Sequence, residues 1–286
     1  MKYIFFGTPR FAEIVLEKLI AAGMPPIAVV CNPDKPVGRK KIITPPPVKA
    51  RIMNYELGIR NNIKILQPVK ITPEVTEEIK SLGADFYIVA AYGKILLLSL
   101  LKIPKLGTIG VHPSYLPKFR GSSPIQGAIL AGAPKTGVTL YLLDDKVDHG
   151  GMLAKSEPII TDGKTYSELE EELAEIAGDT LIDTLPNFEK GRIIPEEQNE
   201  SEATFTKKFE TKNAYIEASE LAIAESGNDL EKAKEIYRKI LALNPEPGTY
   251  TIKNDVRIKL LAAKIVDSSL KLTTIQEAGK TPRFLP

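Results

Sequence analysis

The chain has 286 residues, of which 43% are hydrophobic and 26% charged, an ordinary globular composition that suits one large domain or a large and a small one. Its net charge of +2 supports no nucleic-acid binding by itself, and a single cysteine excludes an internal disulfide. One cysteine and two histidines also disfavour a zinc site, and no apolar run approaches the ~18 residues of a membrane span. We therefore expect a cytoplasmic protein with no membrane partner.

The first part of the chain alternates buried-strand and helix patterns. The predicted elements, in chain order, are a strand over 2–6, a helix over 8–23, strands over 27–31 and 84–93 with a helix over 72–83 between them, and a strand over 107–112. Thr8 is expected at the N-cap of the first helix and Gly23 at its end. Strand, helix and strand in this order predict a parallel unit with a right-handed crossover. The fold class is therefore α/β, with a doubly wound and mostly parallel sheet.

The second part of the chain has a different pattern. The predicted elements are strands over 137–145 and 151–160, a helix over 165–185 closed by Pro186, a helix over 213–243 interrupted near Gly227, and short strands over 248–252, 256–266 and 270–276. Residues 191–212 are polar and poor in large apolar side chains, which is typical of a linker. We expect a large domain over 1–190 and a small C-terminal β-barrel domain, OB-like, over 213–286.

Residues 35–51, KPVGRKKIITPPPVKAR, form a basic segment with six basic residues and no acidic one. Such a block is commonly a solvated loop, but its prolines favour a segment that protrudes from the fold. By contrast, the turn FFGTPRFA between the first strand and helix has a single glycine. That spacing supports neither a dinucleotide-binding turn nor a P-loop.

His112 ends a predicted strand and is followed by the loop PSYLPKFRG. Ligands of open parallel sheets bind beyond the carboxyl ends of the strands, so this histidine is a catalytic candidate, although a lone histidine also fits a structural role. The turn LLDDKVDHGG crowds Asp144, Asp145 and Asp148 beside His149. Acid-rich turns are usually solvated, but a carboxylate brought to His112 would fix its ring as a general base requires.

Several segments together carry a family resemblance: GTPRFA, NPDKPVGRKK, PPPVK, ILQP, VAAYGKIL, HPSYLPKFRGSSPIQGAILAG, TGVTLYLLDDKVDHGGML and LNPEPGTYT. In order and spacing they resemble the folate-dependent formyltransferase superfamily, and within it the methionyl-tRNA formyltransferases. The resemblance covers nearly the whole chain. It implies a formyltransferase domain over 1–190 followed by the small barrel domain, and a last segment shortened at GKTPRFLP.

The resemblance implies a reaction and its partners. The formyl group of 10-formyltetrahydrofolate, a co-substrate, would pass to the free α-amine of initiator methionyl-tRNA, with no metal and with the protein as a monomer. A sugar-nucleotide N-formyltransferase is the main alternative, although it would have no use for the basic segment. His112 matches the family's catalytic histidine and Asp148 its catalytic aspartate.

Other positions match the family's binding residues. The loop that binds 10-formyltetrahydrofolate matches Ser114, Tyr115, Leu116 and Pro117, and the pocket for its pterin matches Tyr92, Gly93, Ile95 and Leu96. The loop that grips the acceptor end of the tRNA matches Arg39, Lys40 and Lys41, and we expect Lys49 of the same basic segment to bind the tRNA with them. Leu97 stands where the family usually has proline.

Gly110 is the main departure from the family, which has an asparagine at this position. Alternation along the strand places positions 110 and 112 on one face, and the asparagine is expected to hydrogen-bond the developing oxyanion. Three explanations stay open. Water or a backbone amide replaces the side chain, His149 supplies the donor, or the protein is an impaired homologue that only binds tRNA or folate.

Overall fold

The computed structural model describes residues 1–38 and 40–285. The strands are β1 (Tyr3–Gly7), β2 (Ala28–Val30), β3 (Lys35–Val37), β4 (Ile42–Thr44), β5 (Lys64–Leu66), β6 (Phe86–Ala90), β7 (Thr108–His112), β8 (Arg120–Gly121), β9 (Lys135–Thr136), β10 (Thr139–Leu142), β11 (Met152–Lys155), β12 (Ile159–Ile160), β13 (Phe205–Thr206), β14 (Tyr250–Lys253), β15 (Val256–Val266), β16 (Ser269–Glu277) and β17 (Arg283–Phe284). The α-helices are α1 (Arg10–Ala21), α2 (Pro47–Met53), α3 (Leu57–Arg60), α4 (Pro73–Ser81), α5 (Leu98–Leu101), α6 (Pro124–Leu130), α7 (Tyr166–Glu189), α8 (Ala218–Ser226) and α9 (Leu230–Leu243). No helix in the described ranges combines the length and apolarity needed to cross a bilayer.

A seven-stranded sheet with the order β11-β10-β7-β6-β1-β2-β5 is the centre of the first compact unit, which comprises residues 1–120, 137–157 and 171–204. Strands β1, β2, β5, β6 and β7 pair in parallel, whereas β10 and β11 pair antiparallel at one edge. Every residue of β1 and β7 is buried, which explains the continuous apolar run of β1, whereas β7 also buries Thr108 and His112. The predicted mostly parallel α/β sheet is confirmed.

Two local predictions in this unit are wrong. Thr8 does not cap α1; its hydroxyl donates to the Tyr92 carbonyl at 3.3 Å and accepts from the Asn32 amide at 3.2 Å. Pro186 does not end α7, which continues to Glu189. A proline inside a helix loses one hydrogen bond and crowds the preceding turn, but here the last turn is anchored by Phe188, whose ring packs edge-on against Phe86 at 5.7 Å.

The second compact unit comprises residues 121–136, 158–170 and 205–286. Its four-stranded antiparallel sheet has the order β14-β15-β16-β17, and α8 and α9 pack against it through an apolar cluster that includes Ile236, Leu260 and Leu270. Gly227, with φ +78°, ends α8 as predicted. The antiparallel sheet is consistent with the predicted small barrel domain.

The two units do not follow a simple division along the chain. Helix α6 packs on α9, so residues 121–136 group with the C-terminal residues. Part of the expected linker is also built into the first unit, where Glu196 forms an antiparallel bridge with Met152. The division into 1–190, 191–212 and 213–286 stays a prediction.

Candidate active site

His112 lies at the carboxyl end of β7, at 6% exposure. Its Nε2 is 2.9 Å from the Phe119 carbonyl oxygen, and its Nδ1 is 3.7 Å from Oδ2 of Asp148. The structure thus brings together the two residues that the sequence assigns to catalysis. Because both ring nitrogens face acceptor oxygens, the ring is oriented on both sides, as a proton-transfer group requires.

Asp148 occupies the turn between β10 and β11 with a φ of +47°. A residue other than glycine rarely adopts this left-handed conformation, which costs free energy unless surrounding contacts hold it. Gln198 supplies such contacts, because its Nε2 donates to the carbonyl oxygens of Asp148 and Gly150, each at 2.9 Å. The backbone that presents the Asp148 carboxylate is therefore held from a segment distant in sequence.

Arg120 is almost fully buried, with 2% of its surface exposed, and it holds the side chain of Gln198. Its guanidinium donates to Gln198 Oε1 at 2.8 and 3.1 Å and to the two carboxylate oxygens of Glu200 at 2.5 and 3.1 Å. This hydrogen-bonded arginine lowers the pKa of Glu200. Sequence reasoning missed all three residues, since an arginine in a loop and two polar residues in an apparent linker give no local signal of contact.

Gly110 lies directly opposite Tyr141 in the β7–β10 pairing. A Cβ built on Gly110 would overlap the Tyr141 ring and come 2.6 Å from Cδ1 of Leu143. The Tyr141 hydroxyl donates a hydrogen bond of 2.5 Å to Oδ1 of Asp148. Burial, reinforced by the Asp148 charge, raises the pKa of Tyr141 well above its ordinary 10.0. The Tyr141 ring thus occupies the space that a side chain at position 110 would need. Tyr141 was not identified from the sequence.

His149 lies between two carboxylates. Its Nδ1 is 2.6 Å from Oδ2 of Asp144, and its Nε2 is 3.7 Å from Oε1 of Glu200. These contacts favour a role in holding the turn. The idea that His149 supplies the donor missing at Gly110 stays a hypothesis.

The loop at residues 114–117 is fixed by hydrogen bonds to Thr139 of β10 and to two residues outside the strands. Thr139 Oγ1 donates to the Ser114 carbonyl at 2.8 Å and accepts from the Leu116 amide at 3.1 Å. The Tyr115 hydroxyl donates to the Ser156 carbonyl at 2.6 Å, and the Pro117 carbonyl accepts from the Thr204 amide at 3.2 Å. The loop therefore lies in one defined conformation beside His112.

The predicted pterin pocket lies beyond the carboxyl end of β6, the parallel neighbour of β7. Tyr92 is buried, which raises its pKa to about 12, and its hydroxyl has no hydrogen-bond partner within the described parts of the chain. Gly93 follows with φ +78°, and Leu96 packs against the core. Ile95 is 91% exposed. Tyr92 thus has a buried hydroxyl without a partner in the described residues, and Ile95 has an exposed apolar side chain, two features that suit a flat heterocycle with polar edges.

The first part of the basic segment forms an exposed hairpin of β3 and β4, whereas residues 47–51 lie in helix α2 and do not protrude as predicted. Lys40 and Lys41 are exposed at its turn, whereas Arg39 lies outside the described residues. Lys49 differs from them: its Nζ donates to Asp34 Oδ2 at 2.8 Å and to Gln67 Oε1 at 2.7 Å. The structure thus gives Lys49 a role in anchoring the segment, because its ammonium is already paired.

Comparison with known proteins identifies the family of this chain. Residues 1–185 match the family model described as formyl transferase, and residues 230–283 match that of the formyl transferase C-terminal domain. A methionyl-tRNA formyltransferase of Bacillus licheniformis is 37% identical over 305 residues, which cover 98% of this chain and 91% of that protein.

Two solved structures share the fold. A methionyl-tRNA formyltransferase from Clostridium thermocellum superposes with a TM-score of 0.62 at 18% identity, over 97% of this chain and 98% of that one. A sugar N-formyltransferase from a Shewanella species gives a TM-score of 0.62 at 15% identity, over 93% of this chain and 99% of that one. At these identities the likeness concerns the fold alone.

Proposed function

This chain belongs to the formyltransferase family, and we propose that it transfers the formyl group of 10-formyltetrahydrofolate to the α-amine of methionyl-tRNA. The observation that carries the proposal is the pairing of His112 with Asp148 at the carboxyl end of the central sheet. Relatives of similar length that match nearly the whole chain bear the name of this activity.

In the proposed reaction the free amine nitrogen attacks the formyl carbon, and a tetrahedral intermediate forms. The bond between that carbon and the folate nitrogen then breaks, and the proton lost by the amine is delivered to the folate nitrogen. Asp148 holds the imidazole of His112 at Nδ1, and Nε2 exchanges the Phe119 carbonyl for the developing oxyanion, to which it donates a hydrogen bond while it assists the proton transfer. The folate co-substrate supplies the activated formyl group.

We assign the folate-binding residues to two neighbouring regions. Ser114, Tyr115, Leu116 and Pro117 form the fixed loop beside His112, and Tyr92, Gly93, Ile95 and Leu96 form the pterin pocket. Support comes from the buried unpaired hydroxyl of Tyr92 and from the exposed apolar side chain of Ile95. Ile95 offers an apolar contact to a bound ring, and the Tyr92 hydroxyl would donate a hydrogen bond to a polar edge that reaches it.

We assign tRNA binding to the exposed hairpin, through Arg39, Lys40 and Lys41. Ammonium and guanidinium groups that contact phosphates release counterions, so affinity would fall as the salt concentration rises. Initiator tRNA is the substrate we expect, in the cytoplasm and with a monomeric enzyme. A sugar-nucleotide substrate is the alternative within the same fold, and the hairpin favours the tRNA.

The direct experiment incubates the protein with 10-formyltetrahydrofolate and methionyl-tRNA and measures formylmethionyl-tRNA. Asp148→Asn and His112→Asn should each lower the rate by ~10²- to 10⁴-fold, the range for a positioned proton-transfer group. Wild-type protein that forms no product above background would refute the proposal and leave the impaired homologue as the better interpretation.

A second experiment separates the tRNA from the sugar substrate. Lys40→Ala with Lys41→Ala should raise the KM for methionyl-tRNA and flatten its salt dependence, because phosphate contacts are lost. The control is Lys102→Ala with Lys105→Ala, which removes two exposed lysines from the same unit. Equal KM values for both double variants would contradict the tRNA assignment.

A further inference from the structure

We propose that Tyr141 is a positioning residue of the active site, and that its hydroxyl holds Asp148 for His112 in the space that Gly110 leaves open. The proposal rests on the function proposed above and adds a residue to that site. The proposal also explains why residue 110 is a glycine: the Tyr141 ring lies over this position and leaves no room for a side chain.

The space is shared between two paired strands. Tyr141 and Gly110 are cross-strand neighbours, and Thr139 is the corresponding neighbour of His112. Residues two apart on a strand share a face, so the Tyr141 ring and His112 lie on the same side of the sheet, with ring centroids 6.4 Å apart. Any Cβ at position 110 would overlap this ring. The tyrosine can therefore reach Asp148 only because position 110 is a glycine.

The hydrogen bond has a fixed direction. A carboxylate only accepts, so the Tyr141 hydroxyl is the donor to Asp148 Oδ1 at 2.5 Å, a length typical of a charge-assisted bond. Tyr141 is 5% exposed, and Asp148 Oδ2 faces Nδ1 of His112 at 3.7 Å. The tyrosine thus binds one carboxylate oxygen while the other faces the imidazole.

The hydroxyl has a single hydrogen, which it gives to Asp148. It therefore does not also donate to the oxyanion, and it acts through Asp148 rather than on the reacting atoms. This separates its role from that of the asparagine expected at position 110. Tyr141 could either hold Asp148 through its hydroxyl or only cover the glycine in the neighbouring strand with its ring. A ring that only covers the glycine would work equally well without the hydroxyl.

Tyr141→Phe tests the proposal, because it keeps the ring and removes the hydroxyl. We expect kcat to fall about 10- to 100-fold, the usual effect of losing a partner that orients a catalytic ligand or base, with KM for both substrates within about twofold of wild type. Tyr3→Phe is the matched control: it removes a buried tyrosine hydroxyl that donates to the Met24 carbonyl at 2.6 Å in the same sheet. A kcat for Tyr141→Phe within twofold of wild type would overturn the proposal.

A second readout does not depend on turnover. The chain has two histidines, so ¹⁵N-labelled imidazole signals can be assigned with a His149→Gln variant. Tyr141→Phe should move the His112 signals and leave those of His149 in place. If wild-type protein forms no formylmethionyl-tRNA, the proposed function fails, and the His112 signals alone decide the role of Tyr141. Signals of His112 that do not move would then overturn it.

Discussion

Gln198 donates a hydrogen bond of 2.9 Å from its Nε2 to the carbonyl oxygen of Asp148, across a sequence separation of 50 residues. The same amide group also binds the Gly150 carbonyl, and its Oε1 accepts from Arg120. A buried arginine therefore fixes a glutamine, and the glutamine fixes the strained turn that carries the Asp148 carboxylate.

Gln198→Ala should lower kcat more than it raises either KM, since it frees the backbone of Asp148 without touching a substrate. It should also destabilise the fold by ~1–3 kcal/mol, because Arg120 loses a buried acceptor. Steady-state kinetics and urea unfolding measure the two effects. Gln276→Ala is the control, as this partly exposed glutamine donates to the Lys280 carbonyl in the second unit. If both variants have wild-type kcat, Gln198 has no positioning role.

Gly110→Asn should not raise activity, although the family has asparagine there. The new side chain overlaps the Tyr141 ring and Leu143, so we expect a loss of ~1–3 kcal/mol of stability from overpacking and a lower kcat. Adding Tyr141→Ala to Gly110→Asn should restore part of the stability, which a double-mutant cycle measures.

The control for this substitution is Gly58→Ala, because a Cβ at Gly58 meets no atom within 4 Å. It should leave stability and kcat close to wild type. A Gly110→Asn protein that is both stable and more active than wild type would contradict the packing argument.

The ion pair of Glu200 with Arg120 should give a pH-dependent stability. The pKa of Glu200 is lowered from 4.5 chiefly by its hydrogen bond with Arg120, so its ionised form is favoured in the folded state. The resulting stabilisation is complete above 4.5 and is lost as the pH falls through the lowered pKa.

Glu200→Gln should therefore lower the thermal midpoint at neutral pH, and the difference from wild type should close as the pH falls below 4.5. Thermal unfolding across that range measures it. Glu202→Gln, an exposed neighbour in the same short helical turn, serves as control. A Glu200→Gln difference that stays constant with pH would rule out the ion pair as its source.

Lys49→Ala should act on stability rather than on tRNA affinity. Its Nζ binds Asp34 and Gln67, and it lowers the pKa of Asp34 through this hydrogen bond. We expect a lower thermal midpoint and a smaller rise in the KM for methionyl-tRNA than in the Lys40 and Lys41 double variant. An equal rise in KM would return Lys49 to the tRNA-binding residues.

Local patterns in the sequence determined much of this protein. Continuous apolar runs and their spacing predicted the parallel strands β1, β2 and β6, because a strand buried on both faces carries mostly apolar side chains. The motifs around His112 and Asp148 predicted the family, and the break at Gly227 was predicted from the tolerance of glycine for positive φ.

The tertiary structure alone decided how the site is completed. From the sequence, Gly110 indicates only the loss of a hydrogen-bond donor to the oxyanion. The strand pairing shows that the Tyr141 ring lies over this glycine. The sequence shows only polar loop residues at Arg120, Gln198 and Glu200. The fold brings the arginine into contact with the other two across about 80 positions of chain. Which distant residues meet depends on strand register and turn geometry summed over the whole fold, and no local pattern of side chains encodes that sum.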